Sequence, residues 1–116
     1  KKHSLAFVDC GHGFVFVRRA NGAVKVLSPR GLPLGVPGQK RYLEGIVSIA
    51  PGDTLILYSD GLIDARPELA LNNHLLAEQL RGASSAREML DRLIKLPCVE
   101  GSLPDDMTVL VAHCTG

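Results

Sequence analysis

No apolar run in this chain of 116 residues approaches the roughly 20 residues that span a bilayer, and the Lys1-Lys2-His3 start carries no long apolar segment of the signal-peptide kind. Neither sign of charge is in excess. Thirteen Lys and Arg stand against twelve Asp and Glu, so no global field draws the chain to nucleic acid or to an anionic membrane. Cysteine is scarce: Cys10, Cys98 and Cys114 are odd in number, far apart and never in a Cys-x-x-Cys pair, which argues against a disulfide framework and a structural zinc site. Tryptophan is absent, with two tyrosines and three phenylalanines as the whole aromatic set, and there is no internal repeat or low-complexity tract. What remains is 46% hydrophobic and 22% charged, the composition of one ordinary globular domain with a single core. The expected setting is the cytoplasm, with no nucleic-acid partner and no membrane insertion.

Residues 4–58 read mainly as strands. Residues 4–10 are a short apolar stretch closed by Gly11-His12-Gly13, and residues 14–19 and 23–27 flank Asn21-Gly22. Asn-Gly between two β-rich runs predicts a tight hairpin, because a primed turn needs positive φ at both central positions. Residues 29–38 hold Pro29, Pro33 and Pro37 with Gly31, Gly35 and Gly38, a composition that favours a shaped loop. A strand resumes over 43–49, Pro51-Gly52-Asp53 turns the chain, and residues 54–58 are apolar at nearly every position, as in a strand covered on both faces. Helical spacing then takes over. A short helix is predicted around 74–81, stopped by Gly82, and a second follows Ser85-Ala86-Arg87-Glu88, a capping-box pattern, with Met89, Leu90, Leu93 and Ile94 on one stripe and Pro97 at its end. A last apolar strand covers 108–112. Strands apolar on both faces, with helices inserted before the last of them, predict an α+β layered domain.

The acids lie at telling places. Asp60-Gly61 follows the buried strand directly, and Asp105-Asp106 directly precedes the last strand. Carboxylates so placed converge if the two strands are neighbours running in opposite directions. Hard oxygen donors suit Mg²⁺ or Mn²⁺. The competing account makes Asp60-Gly61 a plain turn and Asp105-Asp106 a solvated loop, and composition alone favours it.

Five segments together carry a resemblance. Leu57-Tyr58-Ser59-Asp60-Gly61-Leu62-Ile63-Asp64-Ala65 resembles the "YTDGLTEA" segment of the metal-dependent protein phosphatase (PPM) family in its SpoIIE/RsbU branch, and Pro104-Asp105-Asp106-Met107-Thr108-Val109 resembles that branch's "DDxT" motif. Val8-Asp9-Cys10-Gly11-His12-Gly13 is similar to its "NAGHPP" turn, residues 30–36 to its "GxPLGV" loop and residues 50–53 to its "xPGD" turn. The five occur in family order along essentially the whole chain. The resemblance implies part of a four-layer α-β-β-α sandwich with mainly antiparallel sheets. It implies hydrolysis of phosphoserine or phosphothreonine assisted by two Mn²⁺ or Mg²⁺ ions, with Asp60 and Asp105 as metal ligands. Around them, Gly61 shapes the turn, Asp106 supports the loop or binds through water, and Thr108 packs or hydrogen-bonds beneath it. Asp64 accepts a hydrogen bond behind the ligands or caps the next segment, and His12 approaches the phosphate or holds its own loop. Cys10 lacks a Cys-x5-Arg cradle, so no cysteine nucleophile is implied.

One family motif has no counterpart. A complete domain of this branch is roughly twice this length, and its first half holds a "GDVxGHG"-like motif whose Asp bridges the metals. Asp9 in Asp9-Cys10-Gly11-His12-Gly13 is superficially similar, but the hairpin and loop after it match the later turn and the helix expected after the first motif is absent. Residues 1–116 are therefore expected to be the C-terminal portion of the catalytic domain. Alone they should bind metal weakly, turn over poorly, and pair with the other half or self-associate through uncovered apolar surface. The implied substrate is a phosphorylated STAS-type anti-sigma factor antagonist in a partner-switching pathway. The alternative is a catalytically incomplete PPM-derived module that acts by protein contact. A purely structural β-rich domain leaves the acidic strand ends without a role.

Overall fold

The computed structural model describes residues 3–38, 41–98 and 106–116. Its strands are β1 (His3–Val8), β2 (Val15–Arg18), β3 (Val24–Val26), β4 (Glu44–Ile49), β5 (Thr54–Tyr58) and β6 (Val109–His113); its helices are α1 (Gly61–Asp64), α2 (Asn73–Glu78) and α3 (Ala86–Lys95), with a 3₁₀ turn at Pro67–Leu69. β1 and β4 form one antiparallel pair, and a four-stranded antiparallel sheet runs β3-β2-β5-β6. The Asn21-Gly22 hairpin joins β2 to β3 as its sequence predicts, with Gly22 at φ +91°.

Side chains alternating across β2 and β5 build two cores. Phe16, Ile56 and Tyr58 face the helices and pack against Leu62, Leu76, Ala77, Leu80, Met89 and Leu93. Val15 and Val17 face the other way, with Leu55 and Leu57, against Val47, Leu5, Phe7 and Ile49 of the β1–β4 pair. That is why β2 and β5 are apolar at consecutive positions: they are the inner strands of a middle layer. Helices, four-stranded sheet and two-stranded sheet make three layers among the described residues, consistent with the expected four-layer sandwich.

Three local expectations shift. The strand expected to be covered on both faces at the C-terminal end is not: Leu110 and Ala112 pair with Leu57 and Leu55 on the face toward β1–β4, yet both are exposed. The α3 cap stays at Ser85, but its reciprocal bond is displaced by one residue. Ser85 Oγ accepts from Glu88 N at 3.1 Å, but Glu88 returns the bond to the Ser84 amide at 3.1 Å rather than to Ser85. Lastly, α1 and the 3₁₀ turn arise where the sequence pattern shows no helical period, because each is a single turn.

Candidate metal centre

β5 and β6 are antiparallel neighbours, and Tyr58 at the end of one pairs with Val109 at the start of the other. The exit of β5 and the entry of β6 therefore lie side by side. The ladder continues one step beyond the strands: Ser59 N donates to the Thr108 carbonyl at 2.9 Å, and Thr108 N donates to Ser59 Oγ at 2.9 Å. Asp60 is the N-cap of α1 and is exposed; its carbonyl accepts from Ile63 N and Asp64 N at 2.9 Å each, while its carboxylate makes no capping bond.

Gly61 then meets the incoming acidic segment at close quarters. A Cβ on Gly61 would lie 2.6 Å from the Asp106 carbonyl oxygen and 3.4 Å from Met107 Cα, so only glycine lets the two backbones touch. Asp106 itself is left-handed at φ +52°, a conformation aspartate tolerates better than most residues. The Asp-Gly turn and the segment before β6 are thus packed backbone against backbone. Asp105 lies outside the described residues, as does any contact it makes.

In kind, the donors at this corner fit a hard divalent cation. Asp60 and Asp106 are exposed carboxylates with no hydrogen-bond partner among the described residues. In number they fall short, since among the described residues no three His, Cys, Asp or Glu side chains gather as a metal site. Asp64 closes α1 and is exposed, its amide bonded to the Asp60 carbonyl and its carboxylate without a partner among the described residues. Thr108 meets the corner through its backbone, as above. His12 is exposed, stacks edge-on against Phe14 at a centroid distance of 5.7 Å, and lines the same open pocket as Ser59 and Thr108. Beneath the corner, Tyr58 is buried and donates to Asn73 Oδ1 at 2.6 Å; burial pushes its phenol pKa up, so the donor proton stays in place.

The neighbouring turn has its own organiser. Asp9 is buried, and its two carboxylate oxygens accept from Gly11 N at 2.9 Å and Gly13 N at 3.3 Å. Its carbonyl accepts from Gly31 N at 2.7 Å, and the Arg30 guanidinium lies against Gly13, so this turn and the 30–36 loop are stitched together. Sequence reasoning considered Asp9 as a bridging metal ligand, rejected it and gave it no other role; the glycines two and four residues after it were the signal for an aspartate that organises a turn. Ser59 was also missed. Its signal was a hydroxyl residue at the mouth of a buried strand, next to an acid.

The middle sheet and its helices, facing a second antiparallel sheet with an acidic turn packed on the next strand's entry, have the fold of the PP2C-type phosphatases. The phosphatase domain of the Bacillus subtilis cell-fate determinant SpoIIE superposes with a TM-score of 0.64 at 23% identity, over 99% of this chain and 52% of that one. The Mycobacterium tuberculosis serine/threonine phosphatase PstP/Ppp superposes with a TM-score of 0.68 at 21% identity, over 97% and 56%. Residues 1–115 match the family described as Stage II sporulation protein E (SpoIIE), and the chain belongs to that family, a branch of the PPM phosphatases. Among curated proteins it is similar to the phosphoserine phosphatase RsbU of Bacillus subtilis, 31% identical over 95% of this chain and 35% of that protein. It is also similar to IcfG of Synechocystis sp., 28% identical over 95% and 18%. The chain thus spans about a third or less of the curated relatives it matches.

Proposed function

We propose that this chain is the C-terminal portion of a metal-dependent serine/threonine protein phosphatase domain, in which Asp60 and Asp105 hold divalent metal. The observation that carries this reading is the backbone contact between Gly61 and Asp106, which joins the two acidic motifs at one corner. Two Mn²⁺ or Mg²⁺ ions, when bound in the complete domain, would supply an activated water and neutralise phosphate charge. The chain's own residues have simpler tasks. Asp60 and Asp105 would present carboxylates, Gly61 and the Ser59–Thr108 ladder hold the Asp60 turn against the Asp106 backbone, and Asp106 and Asp64 support the corner. His12 stands at the rim of the pocket beside Ser59, placed to meet a phosphoryl group or to hold its turn.

The likeness to the phosphoserine phosphatase RsbU supports a phosphoserine-bearing substrate, and the resemblance to the SpoIIE/RsbU branch points to a phosphorylated STAS-type regulator in a cytoplasmic partner-switching pathway. Among the described residues no helix is long and apolar enough to cross a membrane.

The test is made in the intact gene product that carries this chain. Asp60→Asn and Asp105→Asn each remove an anionic ligand while nearly preserving shape, so Mn²⁺-dependent turnover of a phosphoserine-bearing STAS protein should fall at least about 100-fold. Full activity in both variants would sink the ligand assignment, and activity persisting in chelator would sink the metal requirement. Binding of the STAS protein without turnover in the unaltered protein would favour the contact-only module.

A further inference from the structure

We infer that Ser59 is a positioning residue whose hydroxyl sets how tightly the Asp60 corner holds a divalent ion. The inference rests on the reading of Asp60 and Asp105 as metal ligands. In the register that pairs Tyr58 with Val109, Ser59 stands opposite Thr108, and an antiparallel pair at this position exchanges two amide-to-carbonyl bonds. Only one of the two is of that kind here. Ser59 N reaches the Thr108 carbonyl at 2.9 Å, but the Ser59 carbonyl has been diverted: it accepts from Leu62 N at 3.1 Å in the first turn of α1. The Thr108 amide would be left without its ladder acceptor, and Ser59 Oγ takes the carbonyl's place at 2.9 Å.

The hydroxyl thus resolves a conflict between two elements. The chain must leave the sheet at Ser59 to start α1 and present Asp60, yet must stay laced to the segment that carries Asp106 and Thr108. Without a side-chain acceptor, the Thr108 amide loses its partner or the first turn of α1 opens to free the carbonyl. Either change moves Asp60 relative to the acidic segment. Ligands supplied from two separate segments bind a small cation well only while their spacing is held, because Mg²⁺-sized ions demand near-ideal geometry.

The test reads metal affinity directly, by Mn²⁺ titration in calorimetry and electron paramagnetic resonance on the intact gene product. Ser59→Ala and Ser59→Val should weaken Mn²⁺ binding about tenfold, with kcat largely recovered at saturating metal, and Ser59→Thr, which keeps the hydroxyl, should stay close to the unaltered protein. Asp60→Asn serves as the reference. If it abolishes binding while Ser59→Ala binds as the unaltered protein does, the role of Ser59 is overturned and the metal site stands. If Asp60→Asn itself binds normally, the metal reading falls. A lower melting temperature in Ser59→Ala with unchanged Mn²⁺ affinity would show a merely structural bond and would also overturn the inference.

Discussion

Single acids in this chain do unlike work according to what surrounds them. Asp53 closes the turn before β5, is buried, and accepts from Ala50 N and Arg19 Nη1 at 2.9 Å and from Ala20 N at 3.0 Å; the same Arg19 nitrogen donates to the Ser48 carbonyl. Burial alone would raise its pKa, but the bonds from Ala50, Arg19 and Ala20 and the Arg19 charge outweigh it and hold the carboxyl below its ordinary 3.8. A lowered folded-state pKa contributes stability that is fully present above the unfolded value and is lost as pH falls through the folded one. Denaturant midpoints of the intact protein should therefore drop below about pH 4. Asp53→Ala should cost about 2–4 kcal/mol at pH 7 and flatten that acid-side slope. An unchanged midpoint at pH 7 would show that Arg19 and the two amides find equivalent partners in water. Asp53 was legible only as a turn residue, because nothing in Pro51-Gly52-Asp53 tells that Arg19, 34 positions away, comes to meet it.

At the scale of elements, legibility follows length and local bonding. The helix α3 was readable because its cap, stripe and stop are all near one another in sequence, and the structure keeps Ser85 as acceptor for Glu88 N with Met89 and Leu93 buried on the sheet side. Ser85→Ala should cost about 1 kcal/mol through one unpaired amide. Leu93→Ala should cost about 2–5 kcal/mol, since Leu93 has no exposed surface and packs in the helix-side core. Thermal or urea unfolding of the two variants checks the ranking, and a Ser85 effect as large as that of Leu93 would contradict it. The turn α1 was not readable: Gly61–Asp64 is too short for a periodic stripe, and its start is set by the diverted Ser59 carbonyl.

In the whole molecule the layers are unevenly covered. The inner face of the middle sheet is closed over β2 and β5 but open over β6, where Leu110 is 50% exposed, and the outward face of the β1–β4 pair shows Ile46 at 69% and Val8 at 48%. Within the described residues β6 is also an edge strand. The chain on its own should accordingly self-associate in sedimentation velocity, and paired Leu110→Lys and Ile46→Lys changes should shift it toward monomer. A single sharp monomer peak for the unaltered chain would mean that these faces need no cover.

The sequence by itself determined the hairpin, the capped helix, the doubly apolar inner strand and the two acidic motifs at strand ends, because each rests on bonds or periods within a dozen residues. Only the tertiary structure decided that β5 and β6 are neighbours, that Gly61 lies under the Asp106 carbonyl, and that Ser59 substitutes its hydroxyl for a carbonyl already used. Those contacts join residues more than 40 positions apart, and no local pattern encodes which distant partner will satisfy a given amide. The ends of strands are where backbone groups leave the ladder, so it is there that side chains and glycines distant in sequence must be fitted to one another.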